Sequence, residues 1–175
     1  MKKTALLVID VQRAMFENYG PVYQGEQVIQ RICGLLSRAR EAGAPVIFVQ
    51  HCTGSGPFKP DTPGWRIHPA LTPEASEVVV QKRTPNSFKD TTLEAEIKRA
   101  AAGTLVITGM QTEFCVDTTC RAAFDRGYKV VLAEDAHTTF DTPLLSAKLI
   151  VAHHNNVLGE FFVERRPADK IRFSR

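Results

Sequence analysis

Six short apolar runs alternate along this chain with segments that have the amphipathic period of a helix, and this alternation limits the possible fold more than any other feature. The runs are rich in Val, Ile, Leu and Phe and lack the polar alternation of a strand with one solvated face. This composition is typical of strands buried on both faces of a parallel sheet. The runs are TALLVID (4–10), PVIFVQH (45–51), EVVVQK (77–82), TLVITG (104–109), KVVLAED (129–135) and GEFFVE (159–164).

The amphipathic segments between these runs predict helices with recognisable ends. Gly43, Gly103 and Gly127 stand where a helix C-cap is expected, Thr112 is a candidate N-cap, and Pro143 suits a first helical turn. The resulting order of strands and helices predicts one doubly wound α/β domain over residues 1–175. The helical segments are 26–43, 91–103, 112–127 and 143–155.

The composition fits a soluble globular protein and excludes several other classes. Hydrophobic residues make up 43% of the chain, charged residues 23%, and the net charge is +3. No apolar stretch approaches the roughly 20 residues of a membrane helix. The opening MKKTALLVIDVQ resembles a signal peptide only superficially, because Asp10 and Gln12 interrupt it and no small-residue cleavage site follows. The mild positive charge gives no support for nucleic acid as a partner, and no membrane partner is expected either.

The four cysteines have neither a CxxC pair nor the spacing of a metal site, which favours a reduced, cytoplasmic chain. Cys33 falls inside the first long helix, Cys52 opens a long loop, and Cys120 lies deep in its predicted helix. We expect these three thiols to be packed and chemically quiet. That loop, residues 52–76, carries five prolines and the only tryptophan, and loops of such length are usually functional or mobile.

Three residues that carry reactive groups follow the predicted strands. Asp10 ends the first strand, Lys82 ends the third, and Cys115 lies just beyond the fourth, at a helix start. Ligands of open parallel sheets bind beyond the carboxyl ends of the strands. If the strand order is 3-2-1-4-5-6, Lys82 lies two strands from Asp10, roughly 10 Å, a gap its long stem could largely span. Each has an ordinary alternative role: Asp10 as a loop hydrogen-bond acceptor, Lys82 as a snorkelling rim lysine and Cys115 as a packed thiol.

The position of Cys115 favours a reactive thiol over a packed one. The first turn of a helix has unpaired backbone N–H groups and a positive dipole end, so we expect the thiolate to be favoured there. Backbone N–H groups of Gln111 and Cys115 could hold a developing oxyanion. A nucleophile, a base and a charge stabiliser are the groups that acyl transfer requires. His51 and His137 stand at strand ends and are candidates for ligand contact.

These residues and their surroundings resemble the isochorismatase-like cysteine hydrolases. The resemblance rests on VIDVQ (8–12), VVVQKRTPNSF (78–88) and TGMQTEFCVDTTCRAA (108–123), in the order and spacing of that family, and it covers nearly the whole chain. It implies a three-layer α/β/α fold with about six mainly parallel strands in the order 3-2-1-4-5-6. It also implies that Cys115 attacks a carbonyl carbon, Asp10 serves as general acid and base, and Lys82 stabilises the charged arrangement. A cis peptide bond is implied between Met110 and Gln111.

The resemblance carries further expectations about ligands and assembly. Aromatic residues in the regions that line the pocket of such enzymes would suit a small, partly apolar or planar amide, although core or interface packing is an equal alternative for them. Family members commonly form homodimers or homotetramers, and Trp65 could instead lie at such a contact. The residues expected to bind the small-molecule substrate are Gln12, Phe16, His51, Trp65 and Phe88.

Two departures from the family narrow the expected reaction. Nicotinamidases carry a metal site on an Asp-x-His motif after the second strand, whereas this chain reads FVQHCTGSG (48–56) there. We therefore predict no metal or other cofactor, and no nicotinamidase activity. Isochorismatases proper hydrolyse a vinyl ether and some lack the cysteine, so the presence of Cys115 indicates hydrolysis of a C–N bond through a thioester. The alternatives are vinyl ether hydrolysis and a non-catalytic flavodoxin-like binding module.

Overall fold

A six-stranded parallel sheet forms the centre of the computed structural model, which describes residues 3–173. The strands are β1 (Lys3–Ile9), β2 (Val46–His51), β3 (Val78–Lys82), β4 (Ala102–Met110), β5 (Lys129–Thr138) and β6 (Glu164–Arg166). Their order across the sheet is β3-β2-β1-β4-β5-β6, as predicted. Chain order reverses between β1 and β4, so the carboxyl ends of these two strands form the switch point at which such folds bind ligands.

Helices cover both faces of the sheet and give the expected three layers. The helices are α1 (Arg13–Glu17), α2 (Gly25–Glu41), α3 (Leu93–Arg99), α4 (Asp117–Asp125) and α5 (Ala147–Phe161). One face of the sheet packs its apolar side chains, such as Leu6 and Phe48, against α2, and the other face packs against α3, α4 and α5. Within residues 3–173, no helix is long and apolar enough to cross a membrane.

Several predicted element ends are wrong, and local contacts explain why. The last predicted strand, 159–164, is split, because α5 continues to Phe161 and β6 contains only Glu164–Arg166. Helix α5 begins after Ser146, whose side chain accepts a hydrogen bond from the Leu149 N–H, so Pro143 lies outside the helix. Helix α3 ends at Arg99, and the left-handed residue after it is Ala101, whereas Gly103 lies inside β4.

At the carboxyl edge of the sheet, Gly109 of β4 is paired with Ile9 of β1. Gly109 there has a φ of 121°, and a Cβ at this position would lie 2.0 Å from the backbone oxygen of Ile9. Only glycine fits this space and this backbone conformation. The peptide bond between Met110 and Gln111, immediately after it, is cis, which confirms the prediction.

Candidate active site

The structure brings Asp10, Lys82 and Cys115 together at the switch point. The Lys82 Nζ lies 2.6 Å from the Asp10 Oδ2 and 3.1 Å from the Cys115 Sγ, to which it donates a hydrogen bond. The side chains of Lys82 and Asp10 are fully buried. The lysine ammonium therefore links the carboxylate and the sulfur, and its stem spans the two-strand gap estimated from the order of the sheet.

Asp10 and Lys82 owe their positions to the ends of their strands. Asp10 follows β1 with a φ of 50°, in the left-handed region that few side chains adopt, and its N–H donates to the Val49 carbonyl of β2. The ion pair with the Lys82 ammonium, 2.6 Å away, compensates for burying the charge of this carboxylate. Lys82 is the last residue of β3 and also donates to the Thr84 carbonyl.

Cys115 lies in a single π-helical turn, Thr112–Val116, that precedes α4. Thr112 caps no helix through its side chain, contrary to the prediction, because its hydroxyl pairs with the Nδ1 of buried His137 at 2.9 Å. The other ring nitrogen of His137 lies 3.0 Å from the Oδ1 of Asn155 on α5. His137 is therefore a buried brace between α5 and the turn that carries Cys115, and it does not reach the ligand cavity.

The charges around Cys115 correct the expectation of a resting thiolate. Burial, and then the negative charge of Asp10, raise the pKa of the Cys115 thiol to about 12, although the Lys82 ammonium acts in the opposite direction. Burial alone lowers the pKa of Lys82, but the charges of Asp10 and Cys115 outweigh it, so this pKa is raised. Burial and the charge of Asp10 therefore favour a protonated thiol at rest, next to the ion pair of Lys82 and Asp10.

A cavity of about 420 Å³ opens onto Asp10 and Cys115. Its size is within the range of small-molecule sites, and its walls are mostly apolar and aromatic. Gln111, which was expected to supply an oxyanion-binding N–H group together with Cys115, also lines it, and that role stays a prediction. The lining residues are Asp10, Met15, Tyr19, His51, Thr53, Phe58, Pro85, Gln111, Phe114, Cys115 and Phe140.

Of the five residues expected to bind substrate, only His51 lines this cavity. Gln12 is fully buried, and its side chain holds the backbone of His51 by donating to the carbonyl at 3.0 Å and accepting from the N–H at 2.9 Å. The Gln12 Nε2 also donates to the Trp65 carbonyl. The Trp65 indole N–H in turn faces the sulfur of Cys52 at 3.1 Å. Gln12 and Trp65 therefore act on the shape of the loop behind His51.

Phe16 and Phe88 also lie away from the cavity lining. The Phe16 ring packs on His68 with centroids 4.9 Å apart. Phe88 is in the core, with its ring centroid 6.2 Å from that of Tyr128 and the Arg126 guanidinium 4.6 Å from its centre. The core alternative weighed for these rings describes their positions better than substrate contact does.

The aromatic walls come from residues that sequence reasoning did not select. Met15 lies in α1 and Tyr19 follows it, and this five-residue helix is too short to show a helical period in the sequence. Phe58 lies in the long loop, and Phe140 follows β5. The available signal was positional, because each of these segments follows the carboxyl end of a strand. Which aromatic residue turns inward depends on the path of each loop, and composition does not specify it.

The other three cysteines lie outside the cavity lining. Cys120 is fully buried in the core and Cys52 is buried beside Trp65, whereas Cys33 is half-buried. No group of three or more His, Cys, Asp or Glu side chains in the described part of the chain is arranged to hold a metal ion.

A buried carboxylate–lysine pair beside a cysteine, at the switch point of a 3-2-1-4-5-6 sheet, is accompanied by a match to a known family. The isochorismatase domain model matches residues 4–157, and the chain belongs to the isochorismatase family of hydrolases. A crystal structure described as an isochorismatase from Pseudomonas putida KT2440 superposes with a TM-score of 0.92 at 31% identity, covering 96% of this chain and 89% of that one.

Two curated relatives have names that describe an activity. A streptothricin hydrolase of Streptomyces noursei is 41% identical over 140 residues, which are 79% of this chain and 51% of that enzyme. A ureidoacrylate amidohydrolase of Methylobacterium radiotolerans is 30% identical over 172 residues, covering 77% of this chain and 67% of that enzyme. The match thus spans only about half the length of the streptothricin hydrolase.

Proposed function

We propose that this protein is a cysteine-dependent hydrolase that cleaves the C–N bond of a small non-peptide amide, carbamoyl compound or lactam through a thioester on Cys115. The observation that carries the proposal is the contact of the Lys82 Nζ with both groups, 3.1 Å from the Cys115 sulfur and 2.6 Å from the Asp10 carboxylate, where Cys115 and Asp10 line one cavity. The names of the two curated relatives support hydrolysis of an amide-type bond.

The protonated resting thiol determines how the first step begins. As the Cys115 Sγ bonds to the substrate carbonyl carbon, its proton moves to the carboxylate of Asp10, and the carbonyl π electrons move onto oxygen. Coupling the proton transfer to attack avoids forming a free thiolate beside a carboxylate, which the raised pKa of Cys115 disfavours. The Lys82 ammonium lies beside both groups and offsets their negative charge throughout.

In the later steps Asp10 relays two protons: the thiol proton leaves with the nitrogen, and a proton from water restores the thiol. The tetrahedral intermediate collapses, the C–N bond breaks, and Asp10 gives its proton to the leaving nitrogen, which leaves a thioester. Asp10 then accepts a proton from water as the water oxygen attacks the thioester carbon. The C–S bond breaks, the thiolate regains the proton from Asp10, and the carboxylic acid product leaves. No step requires an oxidant or reductant.

A screen with two matched cysteine variants tests the proposal. Small amides, ureides, carbamoyl compounds and lactams are offered to the wild-type protein, Cys115→Ala and Cys120→Ala, and amine release is measured. Rapid quenching, proteolytic digestion and peptide mass spectrometry should find an acyl group on the peptide that carries Cys115, and peptide fragmentation should place it on that residue, in wild type and in Cys120→Ala.

Other outcomes would identify a different reaction. If Cys115→Ala hydrolyses the best substrate as fast as wild type does, the thioester mechanism is wrong. If that variant also remains active on isochorismate, the site performs vinyl ether hydrolysis, which needs a carboxylate and water but no thiol.

A further inference from the structure

The cavity next to Cys115 contains one charged side chain, and that charge is already neutralised. Asp10 is the only Asp, Glu, Lys or Arg residue among those that line the cavity, and the Lys82 Nζ lies 2.6 Å from it. A substrate carrying an ammonium or a carboxylate would therefore lose its hydration without gaining an opposite charge. Such uncompensated burial of an ion is strongly unfavourable.

Aromatic rings form a connected wall on the other side of the cavity. The Phe58 ring lies nearly parallel to that of Tyr19, with centroids 6.0 Å apart, and Tyr19 is also 6.0 Å from Phe140. The edge of His51 meets Phe58 at 5.8 Å, with their planes at 79°. Phe114, which is half-exposed, lines the same cavity. Faces and edges of this kind favour a planar, weakly polar ligand, because ring pairs gain stability at these separations.

Of the five rings in this wall, only that of His51 carries nitrogen atoms that can pair with a ligand. Its Nδ1 is buried and has no hydrogen-bond partner among the described residues. The other nitrogen, Nε2, is unpaired as well but is absent from the fully buried atoms, so it has an accessible side. A proton on Nδ1 would be an unpaired buried donor, which proteins avoid more strictly than an unpaired acceptor. The favoured tautomer therefore has its proton on Nε2.

The ring of His51 is a neutral donor near neutral pH. Burial lowers the pKa of His51, the positive charge of Lys82 lowers it further, and Asp10 opposes them. Its backbone is fixed at both its N–H and carbonyl groups by the buried side chain of Gln12. A fixed, neutral donor selects the position of an acceptor on the ligand without requiring that the ligand be charged.

We infer that the substrate is an uncharged, planar amide with a hydrogen-bond acceptor that His51 Nε2–H contacts, held between His51 and the rings of Tyr19, Phe58 and Phe140. This inference rests on the proposed function for the reacting carbonyl. It adds a substrate class, uncharged and aromatic or otherwise planar, and makes His51 a specificity-determining residue.

Matched benzaldehydes test the substrate class without requiring turnover. An aldehyde adds to a cysteine thiol reversibly: the S–C bond forms, the C=O π bond breaks, and the thiol proton ends on the new hydroxyl. The pairs carry, at the 3- or the 4-position, tert-butyl against trimethylammonio, nitro against carboxylate, and methoxy against ethyl. Association constants for the protein, taken as reciprocals of the inhibition constants where inhibition is measured, are each divided by the equilibrium constant for addition to 2-mercaptoethanol, which removes differences in carbonyl reactivity.

Each pair has an expected result and a result that overturns the inference. Each uncharged member should bind at least about tenfold more tightly than its charged counterpart, since burial of an unpaired ion costs more than 1.4 kcal/mol. The methoxy compound should bind about fivefold more tightly than the ethyl compound, because one neutral hydrogen bond contributes an effect of that size. Equal binding of charged and uncharged members would overturn the substrate class.

Variants at position 51 test the donor itself. His51→Phe keeps a flat ring and removes the N–H group, so the preference for methoxy over ethyl should disappear while binding of the ethyl compound changes less. His51→Gln retains a donor and should keep part of the preference. A methoxy preference that is unchanged in His51→Phe would show that His51 does not contact the acceptor.

Calorimetry separates failure of this inference from failure of the proposed function. The same substituents are placed on benzamides, and binding to Cys115→Ala is measured, so no thiol is involved. Selectivity for uncharged benzamides with no aldehyde adduct on Cys115 in the wild-type protein would retain the substrate class and reject the nucleophile. An aldehyde adduct on Cys115 with no selectivity for uncharged benzamides would retain the nucleophile and reject the substrate class.

Discussion

Cys115 and Cys120 are five residues apart on one stretch of chain, yet their surroundings differ in the features that decide reactivity. Cys115 lies in the π-helical turn, lines the cavity and receives a hydrogen bond from Lys82. Cys120 lies in α4 and is fully buried among apolar side chains. Burial raises the pKa of both thiols, so acidity alone does not separate them.

The two cysteines are distinguished by their neighbours instead. Beside Cys115 there is a carboxylate that can accept its proton and an ammonium that donates a hydrogen bond to its sulfur. Cys120 is packed in the apolar core, and the Asp117 and Arg121 charges that act on it are paired with each other. The proposed reactivity of Cys115 thus rests on the charged side chains at the strand ends around the thiol. Four changes would break or sharpen this contrast.

Removal of the two thiols should have the largest difference in effect. We expect Cys115→Ala to lower kcat/KM on the best amide by at least about 10⁴-fold, because loss of a nucleophile leaves only binding and charge stabilisation. The matched Cys120→Ala should retain kcat/KM within about twofold and lose about 1–2 kcal/mol of unfolding free energy through a small cavity. Steady-state kinetics and urea unfolding measure both; similar activity in the two variants would remove the contrast.

Breaking the buried ion pair should affect stability almost as strongly. Lys82→Met leaves the buried Asp10 carboxylate without a partner, and we expect a loss of about 3–5 kcal/mol of unfolding free energy. The double variant Asp10→Asn with Lys82→Met should regain most of this stability without regaining activity. Urea unfolding at pH 7 provides the measurement, and a double variant no more stable than Lys82→Met would contradict the account.

The brace that holds the Cys115 turn should make stability depend on pH. Burial lowers the pKa of His137 to about 4 in the folded state, against about 6.5 when unfolded. The unfolded chain therefore binds more protons between these values, so the contribution of His137 is complete above pH 6.5 and is lost as the pH falls to about 4.

The expected loss over that window is about 3 kcal/mol from this residue alone. Urea unfolding at pH 7 and pH 4 measures it, with His137→Gln as the test variant and His153→Gln as the control on the exposed face of α5. The test variant should lose this part of the pH dependence and the control should keep it. The same slope in both would assign the acid sensitivity to other groups.

The smallest expected effect is on the alkylation rate of Cys115. Removal of Asp10, the proposed base, should make the thiol of Cys115, the proposed nucleophile, easier to alkylate. Asp10 raises the pKa of Cys115, so Asp10→Asn leaves Lys82 as the dominant neighbouring charge and increases the thiolate fraction. We expect iodoacetamide to label Cys115 at pH 7.5 at least about tenfold faster in this variant, one unit of pKa being tenfold in thiolate. Peptide mass spectrometry follows the label, and half-buried Cys33 serves as the internal control; an unchanged Cys115 rate would show that Asp10 does not control the thiol.

The sequence was sufficient for the features that depend on strand ends. Asp10, Lys82 and Cys115 each terminate or follow a buried apolar run, and parallel topology requires such ends to meet at one edge. The strand order and the cis bond at Met110–Gln111 followed from the resemblance and are present in the structure. Homo-oligomer formation and a cytoplasmic location remain predictions.

The features that sequence reasoning misplaced depend on long-range contacts. Trp65 was expected in the pocket, but its indole faces the sulfur of Cys52 because the long loop folds back on β2. Tyr19, Phe58 and Phe140 come from three separate segments, and only the folded chain shows that their rings meet. The thiolate was expected from a helix start, but burial and the neighbouring Asp10 carboxylate raise the pKa of the Cys115 thiol and favour its protonated form.

Gly109 has a consequence for any attempt to redesign this protein. Because a Cβ there would lie 2.0 Å from the Ile9 oxygen, any other residue must push β1 and β4 apart, and those strands lead into Asp10 and Cys115. Position 109 therefore sets the spacing of the reacting groups through the backbone, with no side chain of its own. Libraries that vary the rings at 58 and 140 can change which ligand is accepted, but substitutions at 109 would remove the reaction before they altered its selectivity.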